Sequence, residues 1–204
     1  MLGIPEKYWE LAKLEAHLIQ RLGEMPRTKL VKLVYLIDER YYRLHGRTLT
    51  GMGYIYDDHG PNAVDNQIVK VGDLLDNREL VIEQHSTWSG SPQFNYKPGP
   101  APRFDPTFPP DATDTIEEVV EECGAMSVKA IVEASKGTWP FRSNPNQGDA
   151  LQMQTLKGNA TSRLEQIRAA ALKLSRPFDD GEIGYQEPLG GAADRAQGNN
   201  LRVG

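Results

Sequence analysis

Residues 29–62 decide the fold, and they read KLVKLVYLIDERYYRLHGRTLTGMGYIYDDHGPN. Apolar side chains recur in the first half of this stretch at the spacing i, i+3, i+4, i+7, which puts them on one face of an α-helix. They are Leu30, Leu33, Val34, Ile37, Tyr41 and Leu44. Gly46 follows the last of them, and glycine often ends a helix because it adopts a left-handed conformation at little cost. The pattern predicts a core helix that ends near Gly46.

A strand and a second helix are predicted after this core helix. Residues 54–56 are Tyr-Ile-Tyr, a run of aromatic and β-branched side chains that favours a strand. Gly60, Pro61 and Asn62 then break the strand. Proline suits the first turn of a helix, so we expect a helix to begin at Pro61. Its buried face would consist of Val64, Ile68, Val71 and Leu75.

The flanking sequence predicts further helices and a hairpin. A helix is expected between Pro5 and Gly23, because apolar residues recur there at helical spacing. Residues 80–82 and 94–96 favour a β-hairpin, which residues 54–56 are expected to join in one small sheet. Three later helices are predicted at residues 112–123, at residues 128–134 with Ser127 as the N-cap, and at residues 161–174.

These elements predict an α-rich α+β fold, a compact helical domain with a small antiparallel β-sheet or hairpin. The domain is expected to span residues 1–142, with a proline-rich linker or surface arm at residues 98–110. A helical C-terminal extension is predicted at residues 143–175. Residues 176–204 are polar with few apolar anchors, and such a composition does not offset the entropy lost on ordering. They are predicted to form a disordered tail.

Composition and charge argue against a membrane protein and against a nucleic-acid-binding protein. The chain has 204 residues, 39% of them hydrophobic, and no apolar run approaches the roughly 20 residues of a membrane span. No membrane contact is therefore expected. The formal net charge of −5 makes nucleic acid an unlikely partner, because phosphate binding depends on Lys and Arg. A single cysteine, Cys123, and an N-terminus without a basic and apolar leader indicate the cytoplasm.

Catalytic and metal sites lack their minimum parts in this sequence. Residues 57–59, Asp-Asp-His, offer metal ligands together with His45 or His85, but adjacent side chains of an extended segment point to opposite faces. Cys123 follows Glu121 and Glu122, whose charges oppose thiolate formation. No phosphate-binding glycine loop or nucleophile motif is present. We therefore predict no catalytic residue, no metal and no cofactor.

A winged-helix DNA-binding regulator is the main alternative, since helices and a hairpin occur in the right order. Its recognition helix and wing would need a positive face toward phosphate. Residues 62–97 instead carry three basic and five acidic side chains. Charge therefore disfavours this alternative.

Two groups of side chains are candidates for partner contact. Tyr35, Asp38 and Tyr42 lie on helical lines beside the buried stripe, so they are expected to form a second face that is either a binding surface or ordinary solvent-exposed surface. Trp139 and Phe141 flank a proline in a predicted loop. These two aromatic residues either close the core or form a contact surface.

Three motifs in this order resemble those of the Panacea domain, the SocA-like antitoxin family. They are KLVYLID at residues 32–38, HGRTLTG at residues 45–51 and YIYDDHGPN at residues 54–62. A looser fourth motif, SKGTWP, lies at residues 135–140. The family usually has tyrosine before Gly-Pro, where this chain has His59.

The resemblance implies a mostly helical antitoxin that neutralises a cognate toxin by direct protein contact, without catalysis. One branch of the family instead delivers the toxin to a protease, so a protease chaperone is an alternative partner, and a homo-oligomer stays open. An acidic stretch at residues 105–122 is either suited to a basic toxin surface or a solvated helix face. The residues predicted to bind the partner are Tyr35, Asp38, Tyr42, Tyr56, Asp57, Asp58, His59, Asn62, Trp139 and Phe141.

Overall fold

A computed structural model gives the structure of the protein and describes residues 4–86, 90, 92–100, 107–144 and 146–155. Within these residues the chain alternates helices with short strands, which confirms the predicted α-rich α+β fold. The helices are α1 (Trp9–Leu22), α2 (Arg27–His45), α3 (Gln67–Leu75), α4 (Pro110–Cys123), α5 (Val128–Lys136) and α6 (Trp139–Arg142). The strands are β1 (Met25–Pro26), β2 (Tyr54–Ile55), β3 (Asn62–Ala63), β4 (Leu80–Ser86) and β5 (Pro92–Pro98).

Helix α2 lies at the centre and contacts α1, α3, α4 and α5. The predicted apolar stripe is buried from Leu30 to Tyr41, but Leu44 is 56% exposed and was wrongly placed on it. The predicted end of the helix is confirmed, because Gly46 is left-handed with φ 73° and its N–H donates to the Tyr42 carbonyl. The helix is therefore an internal support on which the other elements pack.

The predicted hairpin is confirmed as β4 and β5, and β1 completes an antiparallel sheet in the order β1-β5-β4. The expectation that residues 54–56 join this sheet is wrong. Strand β2 pairs instead with β3, with Tyr54 opposite Ala63. A tight turn, in which the Gly60 N–H donates to the Asp57 carbonyl at 2.7 Å, folds the chain back at once. The partner of β2 is therefore the segment that follows it directly.

The predicted start of the next helix at Pro61 is also wrong, because α3 begins at Gln67. Residues Asn62 and Ala63 are extended in β3, and Asp65 and Asn66 have positive φ values of 55° and 54°. This left-handed pair interrupts the helical pattern that the spacing of apolar residues suggested. The predicted buried residues of α3 from Ile68 onward are confirmed.

The later helices match their predictions where the structure describes them. Ser127 caps α5, because its hydroxyl accepts the Ala130 N–H at 3.2 Å. Residues 139–142, predicted as a loop, form the short helix α6. The predicted helix at residues 161–174 and the tail at residues 176–204 lie outside the described residues, and the division into domains stays a prediction. Among the described helices, none is long and apolar enough to cross a membrane.

Residues 146–155, here called the strap, begin with a turn in which the Asp149 N–H donates to the Asn146 carbonyl at 3.1 Å, and the chain then lies alongside β2. Ala150 forms an antiparallel bridge with Ile55 of β2. Leu151 is 8% exposed and belongs to the hydrophobic core. The strap thus adds a third extended segment beside β2 and β3.

Candidate functional site

Asp38 of α2 is fully buried and anchors a polar network. Its carboxylate accepts the Thr50 N–H at 2.9 Å, the Tyr54 hydroxyl at 2.6 Å and the Thr50 hydroxyl. Burial raises the pKa of Asp38 to about 6, although the hydrogen bonds from Thr50 and Tyr54 partly oppose that shift. The carboxyl group therefore fixes the loop after α2, and strand β2, to the helix.

Tyr35 lies one turn before Asp38 and is also fully buried. Its hydroxyl and that of Thr138 share a hydrogen bond of 2.6 Å, and the Thr138 hydroxyl contacts the Ser135 carbonyl at 2.8 Å. The ring of Tyr35 meets that of Tyr54 edge to face at 5.0 Å between centroids. Tyr35 thus joins α2 to the segment between α5 and α6.

The prediction of a second, partner-facing side of α2 is therefore wrong for Tyr35 and Asp38. Neither side chain reaches the surface, because Tyr35 is covered by contacts with Thr138 and Tyr54, and Asp38 by contacts with Thr50 and Tyr54. Both polar groups are instead paired inside the protein. Tyr42, one turn further along, is half-buried, and its contact with a partner stays a prediction.

Lys32 adds a third buried polar contact from α2. It is 4% exposed, and its ammonium group donates to the Pro61 carbonyl at 2.7 Å. Burial lowers the pKa of Lys32 to about 8, with Asp57 opposing the shift and Lys136 adding to it. The six side chains of this motif network are Lys32, Tyr35, Asp38, Thr50, Tyr54 and Thr138.

Gly60 explains how the turn after β2 approaches the network so closely. Its φ is 94°, and an added Cβ would lie 3.1 Å from the Ser135 hydroxyl oxygen and 3.2 Å from Cε of Lys32. Any other residue would be strained at this φ and would push against both neighbours. Glycine is therefore required for the Lys32 contact with the turn.

Lys32 gives a pH-dependent prediction. Between the folded pKa of about 8 and the ordinary value of 10.5, the unfolded chain binds more protons than the folded one, so stability rises with pH across this window. In Lys32→Met this contribution disappears. Urea unfolding at both ends of the window should show wild type gaining stability relative to Lys32→Met as pH rises. The Lys129→Met variant, exposed on α5, is the control, and an equal pH response in all three proteins would contradict the prediction.

The turn surface, defined as Tyr56, Asp57, Asp58 and His59, lies between β2 and Pro61, whose carbonyl accepts the hydrogen bond from Lys32 of the network. The His59 N–H donates to Oδ1 of Asp57 at 2.8 Å, while the imidazole of His59 is 94% exposed. Asp58 is exposed. Burial favours a higher pKa for Asp57, but the hydrogen bonds from His59 and Gln147 outweigh it and the pKa is lowered. The turn therefore presents carboxylates and an imidazole to solvent from a fixed backbone.

The remaining predicted site residues divide between core and surface. Phe141 is 6% exposed and stacks on Tyr56 at 4.3 Å between ring centroids, so of the two interpretations of Phe141, core closure is the one that holds. Trp139 is half-buried. Asn62 is half-buried, and its amide group donates to Asn66 at 2.8 Å. Of these residues, Phe141 contacts the turn surface, through the ring of Tyr56.

Sequence reasoning missed Lys32, Thr50, Thr138 and Gln147. A lysine inside an apolar helical run was the available signal for Lys32. Gln147 contacts the turn from the strap, where its side-chain oxygen accepts the Asp58 N–H at 3.0 Å. No local pattern links two residues that are 89 positions apart.

A surface carboxylate–histidine cluster and a buried cysteine are the other candidates for chemistry. Within the described residues, Glu24, Glu83 and His85 bring possible metal ligands within 4.8 Å of one another. Lys97 already lies between the two carboxylates, 2.7 Å from Glu83 and 3.4 Å from Glu24, so the group is a surface ion-pair network. Cys123 is buried, and burial raises the pKa of its thiol to about 11. The thiol is therefore protonated at neutral pH and a weak nucleophile.

A known protein family matches this chain. The family model described as antitoxin SocA-like, Panacea domain, matches residues 30–140. The match includes the whole motif network and the turn surface, and it ends before the strap. No curated protein and no solved structure matches the chain. Since the matched residues make up more than half of the sequence and contain its buried network, the chain belongs to the family of SocA-like antitoxins with a Panacea domain.

Proposed function

We propose that this protein is an antitoxin that neutralises a toxin by direct protein contact, with the turn surface at the centre of the interface. Membership of the antitoxin family supports the general role. The observation that carries the finer proposal is that the matched motifs contain two kinds of polar residue: Lys32, Tyr35 and Asp38 are hydrogen-bonded inside the protein, whereas Asp58 and His59 are exposed. The exposed part is available for a partner.

The chemistry of the turn surface favours a basic partner. Asp57 and Asp58 are adjacent carboxylates, and the lowered pKa of Asp57 keeps it ionised at neutral pH. Two hydrogen bonds hold the turn in place, one from Lys32 to the Pro61 carbonyl and one from the Asp58 N–H to the side chain of Gln147. Little conformational entropy is therefore lost when a partner binds. Arginine or lysine side chains at the rim of a toxin would complement these charges.

Charge reversal at Asp58 is expected to weaken toxin binding. The Asp58→Arg, His59→Ala double variant removes the exposed polar groups of the turn without touching the network, so we expect roughly 10- to 100-fold weaker binding at an unchanged melting temperature. Binding is measured by calorimetry with the toxin encoded beside this protein, and neutralisation by growth on coexpression. Glu133→Arg, an exposed reversal on α5, is the matched control and should bind like wild type.

Three outcomes would count against the proposal. If the protein encoded by the neighbouring gene is harmless when it is expressed alone, it is not a toxin, and the proposed function fails. Equal loss of binding in the turn and α5 variants would place the interface elsewhere. Rescue of growth with rapid disappearance of the toxin in a protease-proficient strain, but no rescue in a protease-deficient one, would favour the adaptor alternative over simple blocking.

The proposed site of action is the cytoplasm, which accords with the free thiol of Cys123. Nucleic-acid binding is not part of the proposal. The hairpin that would act as the wing carries Glu83, and its Lys97 is held in ion pairs with Glu83 and Glu24.

A further inference from the structure

Strand β2 pairs with β3 along one edge, and the strap binds its opposite edge, here called the β2 edge, through the backbone. The Gly148 N–H donates to the Tyr56 carbonyl at 2.9 Å, the Tyr56 N–H donates to the Asp149 carbonyl at 2.8 Å, and the Leu151 N–H donates to the Tyr54 carbonyl at 2.8 Å. Gly148 and Asp149 both face Tyr56, an arrangement known as a β-bulge, and Gly148 has the positive φ of 84° that such a bulge requires. The strap is thus an added strand on the β2 edge.

Few side chains hold the strap in place. Leu151 is buried and Met153 is partly buried against the core, while the other strap residues are exposed. The side-chain hydrogen bonds of Gln147 with the turn are also exposed. A segment with one buried anchor and solvent-exposed hydrogen bonds opens at a low free-energy cost compared with a core helix.

The family match provides a separate observation. It ends at residue 140, so the β2 edge belongs to the Panacea domain whereas the strap does not. The domain therefore offers an edge that this chain fills with a segment from outside the matched region. Unpaired strand edges readily accept another extended chain.

We propose that the β2 edge is a strand-accepting site, that the strap occupies it in cis, and that an extended peptide from another protein can take its place. The peptide that fits has backbone groups free to pair with residues 54–56 and an apolar side chain in the position of Leu151. Backbone pairing supplies the general attraction, and the Leu151 pocket supplies selectivity. Such a peptide would lie directly beside the turn surface.

Tethering explains why the strap keeps this site closed until a competitor arrives. A segment joined by a few residues experiences an effective concentration of the order of millimolar at its own site. A free peptide with the same contacts must overcome this advantage. Loosening the strap is therefore expected to open the edge without changing the edge itself.

The test uses the full chain and a labelled peptide that corresponds to residues 146–155. Leu151→Asp in the full chain replaces the buried anchor of the strap with a charge, so the strap should leave the edge. Fluorescence anisotropy should then show peptide binding at least about 30-fold tighter than to wild type, whose own strap competes. The matched control is Gln152→Asp, which makes the same charge change at an exposed neighbour and should behave like wild type.

Two controls keep the outcome unambiguous. A peptide carrying Leu151→Asp should not bind either chain. If the Leu151→Asp chain loses its thermal unfolding transition, Gly148→Val replaces it, because a Cβ at φ 84° disrupts the bulge and leaves the anchor unchanged. A folded variant that fails to bind the peptide at about 1 mM, or wild type that binds it equally well, would overturn the proposal. Both results are independent of any toxin, so the strand-accepting site can fail while the proposed function stands.

Discussion

Replacing Asp38 with alanine is expected to lower the free energy of unfolding by about 3–5 kcal/mol. The substitution leaves three donors without an acceptor, namely the Thr50 N–H, the Thr50 hydroxyl and the Tyr54 hydroxyl. Because Thr50 and Tyr54 are both about 2% exposed, these donors cannot reach bulk water in the folded domain. Urea denaturation followed by circular dichroism measures the change.

Two variants locate the origin of this effect. Tyr54→Phe removes one of the three donors together with its need for an acceptor, so it should cost only about 1 kcal/mol. Asp114→Ala, at an exposed site on α4, should stay within about 0.5 kcal/mol of wild type. A loss of less than about 1 kcal/mol in Asp38→Ala would show that the network is not a main support of the fold. An Asp38 variant therefore reports on folding and is a poor probe of partner contact.

Replacing Glu15 with methionine is expected to have the opposite sign and to raise the free energy of unfolding by about 1–3 kcal/mol at pH 7.5. Glu15 of α1 is 0% exposed, and among the described residues no hydrogen-bond donor contacts either of its oxygens. Oε2 lies 3.3 Å from the position that a Cβ on Gly72 would occupy, so the carboxyl group is enclosed between α1 and α3. Methionine has a similar volume and no polar oxygens to desolvate.

The pH dependence of this gain identifies its cause. Burial, and then the charge of Asp73, raise the pKa of Glu15 well above 4.5. Above pH 4.5 the unfolded chain therefore releases a proton that the folded chain keeps, and wild type loses stability as pH rises toward the folded pKa. Glu15→Met lacks this loss, so its advantage over wild type should grow as pH rises from 4.5 toward the raised pKa.

Thermal unfolding at several pH values measures the advantage, with Glu10→Met as the control. Glu10 lies on the same helix with its side chain 47% exposed, paired with Lys13 at 3.2 Å. Its replacement should change stability by no more than about 0.5 kcal/mol at any pH. A Glu15→Met protein that is less stable than wild type at pH 7.5 would contradict the prediction.

The helical elements were predictable from local pattern, and α2 shows where that reasoning stops. The spacing of Leu30, Leu33 and Ile37 correctly gave a buried face. Assigning Tyr35 and Asp38 to a solvent-facing side assumed that an amphipathic helix has one wet face. Between Leu30 and Tyr41, helix α2 has no exposed residue, and the polar groups of Tyr35 and Asp38 are buried because other segments supply their hydrogen bonds.

The same limit applies to the β2 edge and the turn surface. The exposed turn at Asp58 and His59 could be predicted, because glycine and proline mark it locally. The pairing of β2 with β3 was missed because residues 80–82 and 94–96 were a more obvious sheet. The pairing of the strap with β2 could not be predicted, because the bridge from Ile55 to Ala150 joins distant parts of the chain and leaves no local periodicity.

The bonds of α2 also set an order of events during synthesis. Asp38 finds Thr50 after 12 residues and Lys32 finds Pro61 after 29, but the Tyr35 hydroxyl waits 103 residues for Thr138. Chains are made from the N-terminus at about 5–20 residues per second. The Tyr35 hydroxyl therefore has no Thr138 to pair with for about 5–20 s after Tyr35 has been made, until nearly all of the matched residues 30–140 have been synthesised.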